Sequence, residues 1–161
     1  MLINLTISNY ALINQLELNP SPNLNTITGE TGAGKSIMLG AMGLLLGKRA
    51  DSKVLLDESK KCVVEGEFNI SAYKLERFFK TNELDYSVDT IIRREIAVSG
   101  KSRAFINDSP VTLDVLKQLS VNLIDIHSQH DTMLLGAGDT QLQIVDLYAQ
   151  SQTVIKKYQK H

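Results

Sequence analysis

The chain has 161 residues, 43% of them hydrophobic and 22% charged, which suits one domain or one lobe and excludes wholesale disorder. Lys and Arg total 17 against 18 Asp and Glu, a net charge of −1, so the global basic signature of a nucleic-acid binder is absent and any DNA contact needs a local patch. The lone cysteine, Cys62, excludes an internal disulfide and a multi-cysteine metal site; it reads as a small apolar residue at the start of a strand in a reducing compartment.

In chain order, Leu2 to Ser8 alternates apolar and polar residues, the period of a strand, and Ala11 to Leu18 resumes the alternation after Asn9-Tyr10. The opening residues lack the basic and long apolar regions of a secretory signal, so a cytoplasmic protein is expected. Pro20 to Asn23 form a turn, and Leu24 to Thr28 read as a third short strand. A helix is expected from Lys35 to about Leu46, with Ile37, Met38, Ala41, Leu44 and Leu45 at helical spacing and Gly47 as its stop. The apolar run Met42 to Leu46 is far too short to span a bilayer. Lys48 to Lys61 reads as a surface loop and Val63 to Ile70 as a strand. Ser71 is placed as the cap of a short helix reaching about Lys80. Thr90 to Val98 and Arg103 to Ile106 form a hairpin around Gly100, followed by a turn at Asn107 to Pro110. Thr112 caps a helix through about Leu119, and the apolar run Val121 to Ile126 reads as a buried strand. Gly136 and Gly138 mark a loop before a last helix, which starts near Asp139 or Thr140 and has no stop signal before His161.

The chemistry is concentrated in Gly29-Glu30-Thr31-Gly32-Ala33-Gly34-Lys35-Ser36, which matches G-x-x-x-x-G-K-[ST]. Glycines allow backbone angles closed to other residues, so the loop can turn its N–H groups around phosphate oxygens. The helix that follows directs its positive end at the same anion. Lys35 would supply a full charge to the β and γ phosphates, and the Ser36 hydroxyl would join the shell of Mg²⁺. Residues Gly29 to Ile37 are therefore the expected cradle of a nucleoside triphosphate. Four fixed positions match by chance on the order of once per hundred chains of this size, and here the motif also sits between an apolar segment and an amphipathic helix.

A complete NTPase also needs an acid near the metal at the end of an apolar strand. Asp125 is the one candidate, in a run too short for the pattern and with no second acid after it. No Ser-Gly-Gly signature is present. The chain by itself is expected to bind nucleotide and to hydrolyse it weakly or not at all.

Ile7-Ser8-Asn9-Tyr10 followed closely by a phosphate loop resembles the ATPase heads of the SMC and RecF type. The loop with its flanks, Leu44-Leu45-Leu46-Gly47-Lys48-Arg49-Ala50-Asp51, Ser102-Arg103-Ala104-Phe105-Ile106-Asn107 and Asp125-Ile126-His127-Ser128-Gln129-His130 resemble more narrowly the bacterial RecN family of DNA repair proteins. Lys48 and Ser128 depart from it where glycine is expected. The resemblance implies an α/β P-loop fold of the ABC-type head, a mixed sheet with an antiparallel β-subdomain and flanking helices. It implies that residues 1–150 form the N-terminal lobe, with phosphate loop and Q-loop, and that 151–161 begin a coiled-coil helix. A C-terminal half of the same protein would supply the signature motif and the acidic strand. Two heads would then dimerise around ATP and Mg²⁺, act on DNA at the nucleoid, and have no membrane association. Gln129 would be the Q-loop glutamine, touching Mg²⁺ or orienting water, and with Lys35 the catalytic pair.

Other residues carry weaker expectations. His127 and His130 are read as loop or packing residues, since no ligand cluster accompanies them. Asn9 and Tyr10 are read equally as adenine neighbours or as a turn residue and a packed aromatic. Arg49 is read equally as a surface charge or a residue near nucleotide and DNA. Arg93, Arg94, Lys101 and Arg103 are read first as a solvated face and second as contacts to DNA phosphates. Two further readings of the whole stand beside the ATPase lobe: a self-contained P-loop kinase, which would want an arginine-rich lid that is missing here, and a non-catalytic nucleotide-dependent interaction module.

Overall fold

The computed structural model describes residues 1–29, 34–50, 52–128, 131–132, 141–142, 145–146, 148–149 and 151. They fall in two compact units, Met1–Ile124 and Asp125–His161.

In the first unit, β1 (Leu2–Tyr10), β2 (Ile13–Leu18), β3 (Cys62–Asn69), β4 (Asp89–Ile96), β5 (Ser102–Ile106) and β6 (Ser109–Val111) make a six-stranded sheet in the order β2-β1-β3-β4-β5-β6. Every ladder is antiparallel. Strand alternation decides its faces: along β3 and β4 every second residue is buried. The buried rows bring Leu5, Ile7, Val64, Phe68, Ile92, Ile96 and Ile106 to one side. Two helices join the same core, α1 (Lys35–Leu45) through Ala41, Leu44 and Leu45, and α3 (Leu113–Ser120) through Leu116 and Leu119. The Ser120 hydroxyl donates to the Leu45 carbonyl at 2.6 Å, which ties α3 to the end of α1 and satisfies one of its orphan acceptors. Cys62 is buried, as expected of a small apolar residue, and burial pushes its thiol up to about 11.

Several local expectations are corrected. Leu24 to Thr28 joins no ladder, and Leu24 is 88% exposed. A strand exists only by pairing, and among the described residues no strand pairs with this segment; Asn25 instead closes a local turn with the Ser21 N–H and carbonyl at 2.8 and 2.9 Å. Val121 to Ile126 is not a strand either. The Val121, Leu123 and Ile124 amides donate to the Lys117 and Ser120 carbonyls, winding the run off the end of α3. Ser71 does not cap a helix, because its hydroxyl bonds the Asn69 side chain at 2.7 Å. The helix α2 (Glu76–Thr81) begins later, at Leu75, with no side-chain cap. The turn at Asn107 to Pro110 is tighter than expected. Asn107 and Asp108 take positive φ of 46° and 64°, the geometry of a two-residue hairpin loop, so that Ser109 pairs with Ile106. Pro110 is tolerated because β6 is an edge strand. The Thr112 cap holds: its hydroxyl accepts from the Val115 N–H at 3.4 Å.

In the second unit, β7 (His127–Ser128) and β8 (Asp131–Thr132) pair antiparallel. Residues 141, 142, 145, 146 and 148 are helical, where the last helix is expected. Among the described residues no helix is long and apolar enough to cross a membrane.

Arg94 is the anomaly of the core. It lies on the buried row of β4, 1% exposed, opposite Val64 and Ala104. Nη2 donates to the Ser102 hydroxyl at 2.5 Å, while Nε and Nη1 have no partner among the described residues. A buried cation with incomplete hydrogen bonding is costly. Arg94→Met should therefore raise stability by about 1–3 kcal/mol in chemical denaturation; a loss would mean that the guanidinium has a compensating partner. Cys62 should resist alkylation in the native state near neutral pH and react on unfolding, and stability should decline with rising pH between the ordinary thiol value of 9.0 and about 11, because only the unfolded thiol ionises there.

Candidate functional site

The phosphate-loop motif frames the start of α1. Gly34 is the residue before the helix, with φ 90° and ψ −7°, the left-handed region that favours glycine. Its carbonyl accepts the first helical bond, from the Met38 N–H at 2.9 Å. No side chain caps this end, and the first turn has no acidic residue. The positive end of an 11-residue helix is thus left without an anion from its own side chains. The Lys35 ammonium folds back to donate to the Gly29 carbonyl, bridging the two ends of the loop. Ser36 is exposed, and Ile37 and Met38 are half-buried. Expectations for Glu30, Thr31, Gly32 and Ala33 lie outside the described residues, as do those for Gln129 and His130.

Beside this turn lies a cavity of about 230 Å³. The apolar side chains of Ile13, Leu16, Ile27 and Met38 line it, together with Thr28, Gly34 and Lys35. Strand β2 and the segment before the loop therefore contribute to the site, which the motif alone does not indicate; the signal in the sequence was the apolar alternation of β2.

The seat of α1 is fixed from behind. A Cβ on Gly40 would meet the Tyr10 hydroxyl at 2.9 Å, so glycine permits the close approach of helix and turn. Tyr10 is buried, and burial raises its phenol above the ordinary value, with Cys62 a smaller cause. Asn9, with φ 55°, is also buried. Its amide accepts from the Asp57 N–H at 2.7 Å and donates to the Asp57 and Lys60 carbonyls at 3.0 and 2.8 Å. Tyr10 is thus a packed aromatic, and Asn9 ties the 57–60 loop to the end of β1.

Arg49 is exposed. The four hairpin cations divide sharply. Arg94 is internal; Arg93 pairs with Asp108 at 2.9 Å and Glu65 at 3.4 Å and lies 4.7 Å over the Phe105 ring. Lys101 and Arg103 are exposed. Asp125, the one candidate acid, is exposed and follows a turn, not a strand. Among the described residues there is no cluster of His, Cys, Asp and Glu able to hold a metal.

The AAA domain family matches residues 4–161. The DNA repair protein RecN of Xylella fastidiosa (strain 9a5c) is 41% identical over 154 residues, covering 95% of this chain and 28% of that protein. RecN of Vibrio cholerae is 41% identical over 157 residues, covering 97% of this chain and 28% of the relative. RecN of Bacillus subtilis is 37% identical over 164 residues, with 99% and 28% covered. The chain thus spans under a third of the length of these relatives. Among solved structures, an SMC head domain from Thermotoga maritima superposes with a TM-score of 0.54 at 18% identity, covering 73% of this chain and 41% of that one. The recombination mediator protein RecF superposes at 0.56 with 17% identity, covering 72% and 29%. These likenesses show the fold, that of the P-loop ATPase head of SMC and RecF type.

The geometry of Gly34 yields a clean test. Among the described residues nothing lies within 4 Å of a Cβ built there, so of these only the positive φ opposes an added methyl. Gly34→Ala should lower stability by about 1–2 kcal/mol in thermal denaturation; no change would show that the left-handed turn is not needed.

Proposed function

The chain belongs to the AAA domain family, and from that premise we propose that it is the ATP-binding N-terminal lobe of a RecN-like DNA repair ATPase. The observation that carries the proposal is a helix opening at a left-handed glycine, without a side-chain cap, whose lysine reaches back to the carbonyl at the start of the loop. An anion with several oxygens would complete both features: helix N–H groups and Lys35 would hold the phosphates. The residues fit an ATP–Mg²⁺ pair, since Lys35 brings the charge and Ser36 an exposed hydroxyl for the metal shell. When bound, the metal would offset charge on the γ-phosphate during attack by water. Gly29, Glu30, Thr31, Gly32, Ala33, Gly34, Lys35, Ser36 and Ile37 form the proposed cradle, and the neighbouring apolar cavity suits the base or ribose. Gln129 is the proposed sensor of nucleotide state.

Hydrolysis would need the remainder of the protein. Leu24 to Thr28 leads into the loop as an apolar segment with no strand beside it among the described residues, which is how the middle of a divided sheet would look. A C-terminal half would supply flanking strands, the acid and the signature motif. Two heads would close on two nucleotides, and turnover would gate engagement with DNA in the cytoplasm. Residues 1–150 would be the lobe and 151–161 the start of a coiled-coil helix. No observation favours a self-contained kinase.

The chain should bind a fluorescent ATP analogue with Mg²⁺. Lys35→Ala should weaken that binding by about 2–3 kcal/mol, on the order of a hundredfold in Kd. ATPase activity should appear on mixing with a separately prepared C-terminal half. Equal affinity of the wild type and Lys35→Ala for the analogue would rule out the proposed cradle.

A further inference from the structure

The cavity beside the phosphate loop is built to hold a flat apolar surface, and its walls are fixed before any ligand arrives. Ile13 and Leu16 are set by the ladder of β2 against β1, opposite Tyr10 and Ile7. Met38 is set by the first turn of α1, where its N–H donates to the Gly34 carbonyl. Three residues separate Met38 from Lys35, so the two share one side of the helix. The apolar walls therefore begin where the proposed phosphate cradle ends, which is where the base of a bound nucleotide would fall.

Side chains able to read the edge of a base are scarce there. Among the described residues that line the cavity, Thr28 and Lys35 alone carry a hydrogen-bonding side chain. Lys35 donates to the Gly29 carbonyl and is committed to phosphate in the reading above. The Thr28 hydroxyl both donates and accepts, and it rotates, so it suits an adenine edge and a guanine edge alike. Strong rejection of a wrong ligand, by factors of about 10⁴ or more, comes from fixed polar groups that the wrong ligand leaves unpaired; apolar walls separate ligands by only about 10–200-fold even for a whole methylene. Adenine and guanine share one ring skeleton, so their faces meet Ile13, Leu16, Ile27 and Met38 in the same way. The rim is open: Ile27 is 47% exposed, and Thr28 is exposed. A base lying on these walls keeps its polar edge in water, so the additional polar groups of guanine are not stripped of solvent.

We infer that the cavity holds a purine by its face and does not distinguish adenine from guanine, so that this lobe takes purine nucleoside triphosphates as a class. That selectivity rests on the nucleotide reading above and extends it beyond ATP. Ile13 and Met38 set affinity for the nucleotide without setting the choice of base.

Titration calorimetry of the chain with ATP, GTP and inorganic triphosphate, each with Mg²⁺, tests this. ATP and GTP should bind with Kd values within about threefold of each other, and inorganic triphosphate about tenfold more weakly or worse. Ile13→Ala and Met38→Ala should each weaken ATP and GTP by one common factor, about three- to tenfold, and leave inorganic triphosphate unchanged. Thermal melting checks that the variants fold; they lie on separate elements, β2 and α1, so a folding loss in one leaves the other to decide. A preference of more than about tenfold between ATP and GTP overturns the inference while the cradle stands. Unequal weakening of the two nucleotides in the folded variants overturns it as well. So does inorganic triphosphate binding as tightly as ATP, because the base then gains nothing from the walls. Failure of all three ligands to bind the wild type overturns the cradle itself, and the class-wide selectivity with it.

Discussion

The seating of α1 is the constraint from which the rest of this lobe follows. An antiparallel sheet with one apolar face must cover it, and the sequence provides the cover as Ala41, Leu44 and Leu45 on the C-terminal half of one helix. Burying three such side chains stabilises the fold by several kcal/mol, on the order of 25 cal/mol for each Å² of apolar surface removed from water. That anchoring fixes the helix axis. Its other end is then held in place with no side-chain cap and no acid in its first turn, the arrangement on which the proposed phosphate cradle rests. In the proposed reading, packing at one end of the helix positions the phosphate cradle at the other.

The supports behind α1 are specific as well as apolar. Tyr10 and Gly40 set the distance between helix and β1–β2 turn, and Asn9 holds the 57–60 loop to the same turn through its amide. Ser120 closes the far end on the Leu45 carbonyl. Each is a polar or small group in a buried place with a partner. Arg94 breaks that rule, with two guanidinium nitrogens unpartnered among the described residues, and so marks the place where the fold carries a local energetic penalty.

Charge on the sheet is segregated by face and by row. The central part of the outer face is neutralised by Arg93 with Glu65, Glu95 and Asp108, an exposed or half-exposed network of modest worth. The excess of cations is confined to the end of the hairpin. A chain near neutrality can therefore present a local positive field without the composition betraying it.

Period and motif determined much of this in one dimension. The strands β1, β3, β4 and β5, the helix α1 and the Thr112 cap all follow from residues within a turn or two of each other, and the phosphate-loop motif is written in adjacent glycines, a lysine and a serine. Where the reading failed, the outcome depended on distant residues. Leu24 to Thr28 has a strand's residues but finds no strand to pair with among those described, and Val121 to Ile126 is apolar enough for a strand yet is wound onto α3 by bonds to Lys117 and Ser120. The four hairpin cations look alike as charges; the alternation of β4 puts Arg94 on the buried row of Ile92 and Ile96, while the register against β3 and β5 sets Arg93 beside Glu65 and leaves Lys101 and Arg103 beside Lys61. Local geometry can be written in neighbouring residues, but pairing and facing are set by which strands meet, and that is decided in three dimensions.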